Sequence, residues 1–299
     1  MATRIKTSAV HSEGEISVEQ IKRETLDRRI RAARALADRI RVMPDGSRVF
    51  VRFTTAQRIE HVVLMVSFAT LAVTGLLQTF SSFPPVAWII EFAGGIDAIR
   101  VIHRLAALIS AVQSFYHLWK ILETWFVKRE RGGMWPYLRD FRNLVQMVLF
   151  NAGLAKERPR FDRYTIEEKL EYWALLWGQV VMGLTGFIMW FPLVVTEVLP
   201  GQVFAVAQAL HRWEAMLAAL AILTWHMYHG CIKDKNRSIF TGLMSEEEMQ
   251  HTHQLEYQRI LAAEAYLKRM AAVQGSMRPD AAMNERVEAG IALDLGAVD

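Results

Sequence analysis

The chain has 299 residues, 52% of them hydrophobic and 22% charged, with a formal charge of +4 and a single cysteine, Cys231. One cysteine excludes an intrachain disulfide, a cysteine-held iron–sulfur cluster and C-x-x-C-H attachment of a c-type haem. The apolar residues gather in long runs between charged segments, the pattern of a membrane protein, and the basic residues beside those runs read as topology signals rather than as a nucleic-acid surface.

Residues 1–58 carry 13 Lys and Arg and lack the apolar core of a cleavable signal peptide. Within them SVEQIKRETLDRRIRAARALADRIR predicts an amphipathic helix. Ser17 and Gln20 are spaced as a capping box, and Ile21, Ile30, Ala33, Ala37 and Ile40 recur at near-helical intervals. Such a helix suits the anionic inner leaflet or a partner subunit. Four apolar runs follow, from Ile59 to Phe80, Ala98 to Val127, Leu170 to Val194 and Val203 to Ile232. Each is close to the roughly 20 residues that cross a bilayer as a helix. Backbone groups in lipid must be satisfied within their own segment, so the predicted class is all-α, a transmembrane four-helix bundle with cytoplasmic amphipathic helical arms. Between the second and third runs, WPYLRDFRNLVQMVLFNAG is apolar on one side but too short and too charged to span, and is expected at the interface. In the tail, SEEE from Ser245 caps another helix, with irregular chain after Gly275. No internal repeat is evident.

Orientation follows from the basic residues. Residues 127–169 carry 10 Lys and Arg, whereas 81–97 and 195–202 carry none. The positive-inside rule then places both termini and the middle loop in the cytoplasm, in a multi-pass protein of a bacterial-type inner membrane. Three regions result: a cytoplasmic arm (1–58), a four-span membrane domain (59–232, including the loop 128–169) and a cytoplasmic tail (233–299).

Of nine histidines, His11, His251 and His253 fall in the polar arms, where an exposed side chain is the default. His61, His103, His117, His211, His226 and His229 lie in or beside the spans, where a histidine is costly and marks a site. On an α-helix fourteen residues rise about 21 Å and leave His103 and His117 within about 40° of one face. His211 and His226 are fifteen apart, about 22 Å, and about 60° from a common face. His103 and His211 therefore sit near the outer side, and His117 and His226 near the inner side, with His61 at the inner mouth of the first span. Paired neutral imidazoles facing across a bundle are what a six-coordinate b-type haem requires. Ser110, Ser114, Ala215, Ala218 and Ala219, with Gly75, Gly178, Gly183 and Gly186, leave room between the helices, though small residues also serve plain helix packing. A hydrogen-bonding role explains any one of these histidines. A proton relay calls for carboxylates at midplane depth, where none is expected, and zinc calls for ligands converging on one point rather than on two depths. Spacing alone offers His117 as the partner of His226.

The segment RIEHVVLMVSFATLAVTG, the His103-Arg104 pair opening the second span and HRWEAMLAALAILTWHMYHG in the fourth resemble the cytochrome b (gamma) subunits of membrane-bound formate dehydrogenase and nickel-iron hydrogenase. The resemblance covers roughly residues 50–245. It implies that His103 and His211 hold an outer haem b and that His61 and His226 hold an inner one. Two departures stand out: the fourth-span spacing is fifteen where the family pattern is fourteen, and His117 is additional. Three alternatives stay open for His117, namely partner of His226 in place of His61, ligand of a third haem, or structural residue. Arg100 and Arg104 flank His103 and could hold haem propionates or snorkel to headgroups.

With no nucleotide fingerprint and no cluster ligands, the chain is not an autonomous metabolite-oxidising enzyme. The implied role is a membrane-anchor subunit passing electrons between a quinone and a redox partner, an iron–sulfur protein or multihaem cytochrome, through two or three haems. The other class is a haem-free scaffold whose histidines tie helices together.

Overall fold

The computed structural model of the chain describes residues 24–127, 133–233 and 236–276. The Ser17–Gln20 cap, Ile21, His11 and the irregular tail after residue 276 lie outside them. In chain order the elements are α1 (residues 24–37), β1 (Ile40–Val42), β2 (Arg48–Val51), α2 (Thr55–Thr79), α3 (Pro84–Phe92), α4 (Ile96–Leu122) and α5 (Leu138–Asn151). They continue with α6 (Ile166–Trp190), α7 (Pro192–Thr196), α8 (Gln202–Ala221), α9 (Ser238–Thr241), β3 (Leu243–Ser245), α10 (Glu246–Thr252) and α11 (Gln254–Ser276). Wider π turns extend α4 through Glu123–Val127 and α8 through Ile222–His226 and Tyr228–Lys233. Four helices have the length and composition to cross a membrane, Thr55–Thr79, Ile96–Val127, Ile166–Trp190 and Gln202–Ile232. They are the four predicted runs, and the all-α bundle is the observed class.

The described residues divide into two compact units. One comprises the residues up to Val51 together with those from Ser245 onward. In it β1 and β2 form an antiparallel hairpin with Ile40 opposite Phe50. Ala33 of α1 packs with Ala263 and Tyr266 of α11, and Ile30, Leu36, Leu267 and Met270 close around them. The apolar stripe expected to face lipid or a partner is thus covered by the chain's own C-terminal helix. Arg39 bonds Glu256 at 2.5 Å and Arg48 bonds Glu264 at 2.8 Å, which ties the hairpin region to α11. Ser245 and Glu248 form the expected capping box of α10. His253, read as exposed, is only 2% exposed in the turn between α10 and α11.

The second unit, Arg52–Met244, holds the bundle. α2 packs mainly on α4 and α6 mainly on α8, with α2 also touching α8. Large apolar side chains such as Val112, Phe115, Leu184 and Trp213 point outward, while Ser67, Thr74, Ala106, Ser110, Thr185 and Ala207 are buried. This is the membrane pattern, in which small residues let helices approach and lipid solvates the large ones. Reciprocal caps start α2 (Thr54 with Gln57) and α6 (Thr165 with Glu168). Beside them the fully buried Arg52 donates to the Arg163 carbonyl and the Glu168 carboxylate, and Arg163 donates back to the Arg52 carbonyl at 2.9 Å. Two helix starts that are far apart in sequence are clamped together at this basic end. α5 lies against α6 through Met147, Phe161 and Ile166, and Lys169 reaches the Asp140 carboxylate at 2.6 Å.

Candidate functional site

The histidines of the bundle meet in two pairs at two levels. Toward the end where α2 and α6 finish, the His103 and His211 rings meet edge-on, their planes at 68° and their centroids 6.4 Å apart. Toward the basic end, where α2 and α6 begin, His61 and His226 face each other with centroids 6.2 Å apart. A metal–imidazole bond is about 2.0 Å and a ring nitrogen lies roughly 1.1 Å from its ring centre, so two imidazoles gripping one ion from opposite sides have centroids about 6.2 Å apart. Both pairs meet that requirement. Among the described residues no group of three or more His, Cys, Asp or Glu converges on a point, so the arrangement is of pairs and not of a closed metal cage.

The upper pair is held by a device used twice. The Thr74 hydroxyl on α2 lies 2.8 Å from His103 Nδ1, and the Thr185 hydroxyl on α6 lies 2.9 Å from His211 Nδ1. Each hydroxyl proton is already given to a carbonyl four residues back, Thr74 to Thr70 at 2.6 Å and Thr185 to Val181 at 2.7 Å. The hydroxyl oxygen can therefore only accept, so each imidazole carries its proton on Nδ1 and keeps the Nε2 lone pair free, the form a metal needs. The next residue completes the cradle. A Cβ on Gly75 would come 3.5 Å from His103 Cε1, and one on Gly186 would come 3.4 Å from His211 Cε1, so each ring lies directly over its glycine with room for about one more carbon at contact distance. The same Thr-Gly dipeptide followed 26 to 29 residues later by His-Arg (His103-Arg104, His211-Arg212) is a short internal correspondence. It escapes notice in the sequence because helix–helix packing, not similarity along the chain, gives it meaning.

At the lower level the orienting group is a carboxylate. His226 Nδ1 lies 2.8 Å from Glu171 Oε2 on α6, while His61 Nδ1 is buried with no hydrogen-bond partner among the described residues. His117 is not brought to His226. Its Nδ1 lies 2.9 Å from Glu60 Oε2 and its Nε2 lies 3.0 Å from the Tyr172 hydroxyl, so both ring nitrogens are engaged. Glu60, Glu171, Tyr172, Thr74 and Thr185 were not among the residues singled out in the sequence.

The fifteen-residue interval in α8 is reconciled by its π turn. The Met227 amide reaches back to the Ile222 carbonyl, five residues away, immediately around His226. One π turn accommodates about one extra residue, so His211 and His226 are rotated as if fourteen apart, within about 40° of one face.

Other readings find their places too. Arg100 pairs with Asp97 at 2.9 Å on the exposed side of α4, and the Arg104 guanidinium sits 5.6 Å from the Trp190 ring centroid. His229 Nδ1 turns to the Trp225 carbonyl of its own helix at 2.9 Å. The expectation that no carboxylate lies at midplane depth needs correcting. Glu214 stands three residues beyond His211 in α8, accommodated by Gly178, where a Cβ would fall 3.0 Å from Glu214 Oε1. In the sequence Glu214 is inconspicuous because it follows His211, Arg212 and Trp213 as a polar opening to the span.

Two histidine pairs stacked in a four-helix membrane bundle coincide with a family match: residues 52–242 match the prokaryotic cytochrome b561 family. The chain belongs to that family. It is a membrane cytochrome b, and haem b is the cofactor of that class. The chain is similar to the cytochrome b556(Fdn) subunit of the nitrate-inducible formate dehydrogenase of Escherichia coli K12, at 23% identity over 220 residues, covering 73% of this chain and 95% of the relative. It is also similar to the cytochrome b556(fdo) subunit of formate dehydrogenase from the same organism, at 25% identity over 60% of this chain and 77% of the relative. The cytochrome b556 subunit of a Haemophilus influenzae formate dehydrogenase matches at 23% over 64% of this chain and 75% of the relative.

Proposed function

We propose that this cytochrome b is the membrane anchor of a quinone-linked oxidoreductase, carrying electrons across the bilayer between a redox partner subunit and a quinone through two bis-histidine haems. His103 and His211 would hold one, His61 and His226 the other. The carrying observation is the pair of centroid separations, 6.4 Å and 6.2 Å, each the width of one ion with two imidazole bonds. When bound, a b-type haem supplies reversible one-electron transfer at its iron. The protein's part is to orient and to insulate. Thr74 and Thr185 fix which ring nitrogen carries the proton at the upper level, and Glu171 does so for His226. Gly75 and Gly186 give the upper rings their space. Arg100 and Arg104, near the level of His103, supply positive charge for propionate carboxylates.

The basic end carries the clamp of Arg52 and Arg163 and the Lys/Arg-rich loop, which supports a cytoplasmic placement of that end and of both termini. The quinone then belongs near His61 and His226, where cytoplasmic water supplies or accepts its protons. The His103–His211 level, reached through short outer connections, faces the redox partner. Since the relatives are formate dehydrogenase subunits, an iron–sulfur subunit of a dehydrogenase of that kind is the partner class.

The purified protein tests this through its reduced-minus-oxidised spectrum and haem content. Two b-type haems per chain are expected, His61→Ala losing one and His103→Ala losing the other. A colourless protein would leave a scaffold whose histidines merely join helices, and haem that survives both changes would overturn the assignment of His61 and His103 as ligands.

A further inference from the structure

At the level of His61 the bundle contains one unpaired role, that of His117, and the residues around it form a closed circuit. α2 contributes the consecutive residues Glu60 and His61, and α6 contributes the consecutive residues Glu171 and Tyr172. Neighbouring helix positions point about 100° apart, so each helix offers one side chain toward α4 and the other toward α8. On the α4 side, Glu60 meets His117 Nδ1 at 2.9 Å and Tyr172 meets His117 Nε2 at 3.0 Å. On the α8 side, Glu171 meets His226 Nδ1 at 2.8 Å, and His226 faces His61 across 6.2 Å. The circuit runs from Glu60 to His117, Tyr172, Glu171, His226 and His61, and back along α2 to Glu60. Four helices are joined in a ring by side chains, with one gap, between His61 and His226, of the width of a metal ion.

We propose that His117 is a positioning residue for the lower haem: by gripping Glu60 and Tyr172 it sets the rotation of α2 and α6, and so aims His61 directly and His226 through Glu171. This rests on the reading that His61 and His226 are the lower ligands. A neutral imidazole can serve both neighbours at once, donating from Nδ1–H to the Glu60 carboxylate while Nε2 accepts the Tyr172 hydroxyl proton. Among the uncharged side chains only an amide, with a donor and an acceptor on one head, offers a comparable pair of bonds, so glutamine is the conservative replacement and leucine the disruptive one. Cutting the tie leaves the Arg52–Arg163 clamp as the remaining bond between α2 and α6 at this end, so both helices turn slightly about it and the iron-facing nitrogens move with them. The upper pair, held by Thr74 and Thr185 about 20 Å away along the helices, does not share this tie.

The test uses the full chain in its membrane complex, with His117→Leu, His117→Gln and Tyr172→Phe compared by haem content, by the low-spin electron paramagnetic resonance signal of each haem and by redox titration. His61→Ala marks which signal belongs to the lower haem, and if it removes none, the ligand reading has failed independently of His117. Expected are two haems in every His117 and Tyr172 variant, and a displaced signal and midpoint for the lower haem alone in His117→Leu and Tyr172→Phe. Loss of the lower haem to an excess haem acceptor should be about tenfold faster there, as one strong hydrogen bond implies, and His117→Gln should lie close to wild type. Loss of a whole haem in both His117→Leu and His117→Gln, with Tyr172→Phe unaffected, would make His117 an axial ligand and overturn the proposal. Unchanged lower-haem signals in His117→Leu, or equal displacement of both haems, would overturn it as well.

Discussion

A threonine hydroxyl has one proton to give, and in both Thr74 and Thr185 it goes to the helix backbone. That single fact decides the tautomer of His103 and His211, because an oxygen whose proton is committed can only accept from Nδ1–H. The prediction at this scale concerns Thr185. Thr185→Val keeps the shape and removes the acceptor, leaving the half-buried Nδ1–H of His211 unsatisfied at a cost of about 1–3 kcal/mol. The upper haem should be lost from a large share of molecules while the lower one stays, and Thr185→Ser should restore it, as read by haem content and the two resolved midpoints. Equal behaviour of the Val and Ser variants would show that the hydroxyl does not orient the ring. The histidines were legible in the sequence because an imidazole among Leu, Ile and Ala has no inexpensive explanation. Thr74 and Thr185 were not, because a threonine in a membrane helix is ordinarily satisfied by its own backbone and announces nothing.

Among the elements, α8 has the least regular geometry and depends on it. Fifteen residues between His211 and His226 would aim them about 60° apart on an ideal helix, and the π turn at Ile222–His226 brings them back. Deleting Leu223, which is 68% exposed, should convert the π turn to α-helix and leave both ligands facing as before, so both haems are retained. Deleting Leu223 and Thr224 together turns His226 a further 100° or so and should abolish the lower haem alone. Haem counts on the two deletions check this directly. A lost haem after the single deletion would mean that the π turn does not compensate the extra residue. Counting residues along an assumed α-helix could not reveal the π turn, since its hydrogen bonds differ from α by one position and leave no residue-type signature. The same assumption made His117 a natural partner for His226. In the bundle it is Glu60 and Tyr172, from helices on either side of α4, that reach it first.

Across the molecule His61, His103, His117, His211 and His226 all fall within the unit Arg52–Met244, while α1, the β1–β2 hairpin, α10 and α11 belong to the other. The seam between α1 and α11 is narrow and built on small residues, Ala33 at 8% and Ala263 at 5% exposure beside Tyr266. Ala263→Glu would place a carboxylate with no partner in that seam, at a cost of several kcal/mol. It should make the terminal residues sensitive to limited proteolysis while both haem signals stay as in the wild type. Haem loss in that variant would show that the terminal unit supports the bundle. The sequence presented α1 as an amphipathic helix in want of a covering surface. Its surface turned out to be 230 residues further along the chain, where α11 carries too weak a periodic pattern to advertise a matching face.

The order of apolar and charged residues along the chain was by itself enough to determine four membrane helices, their limits to within a few residues, and the presence of intramembrane histidines at two depths. Hydrophobic length and the cost of burying an imidazole in lipid are properties of a segment considered alone. Which histidines meet, which ring nitrogen each keeps free, and what His117 touches were decided only by the tertiary structure. Those depend on the rotation of each helix against its neighbours. That rotation follows from glycine clearances, a π turn and hydrogen bonds between residues up to 116 positions apart.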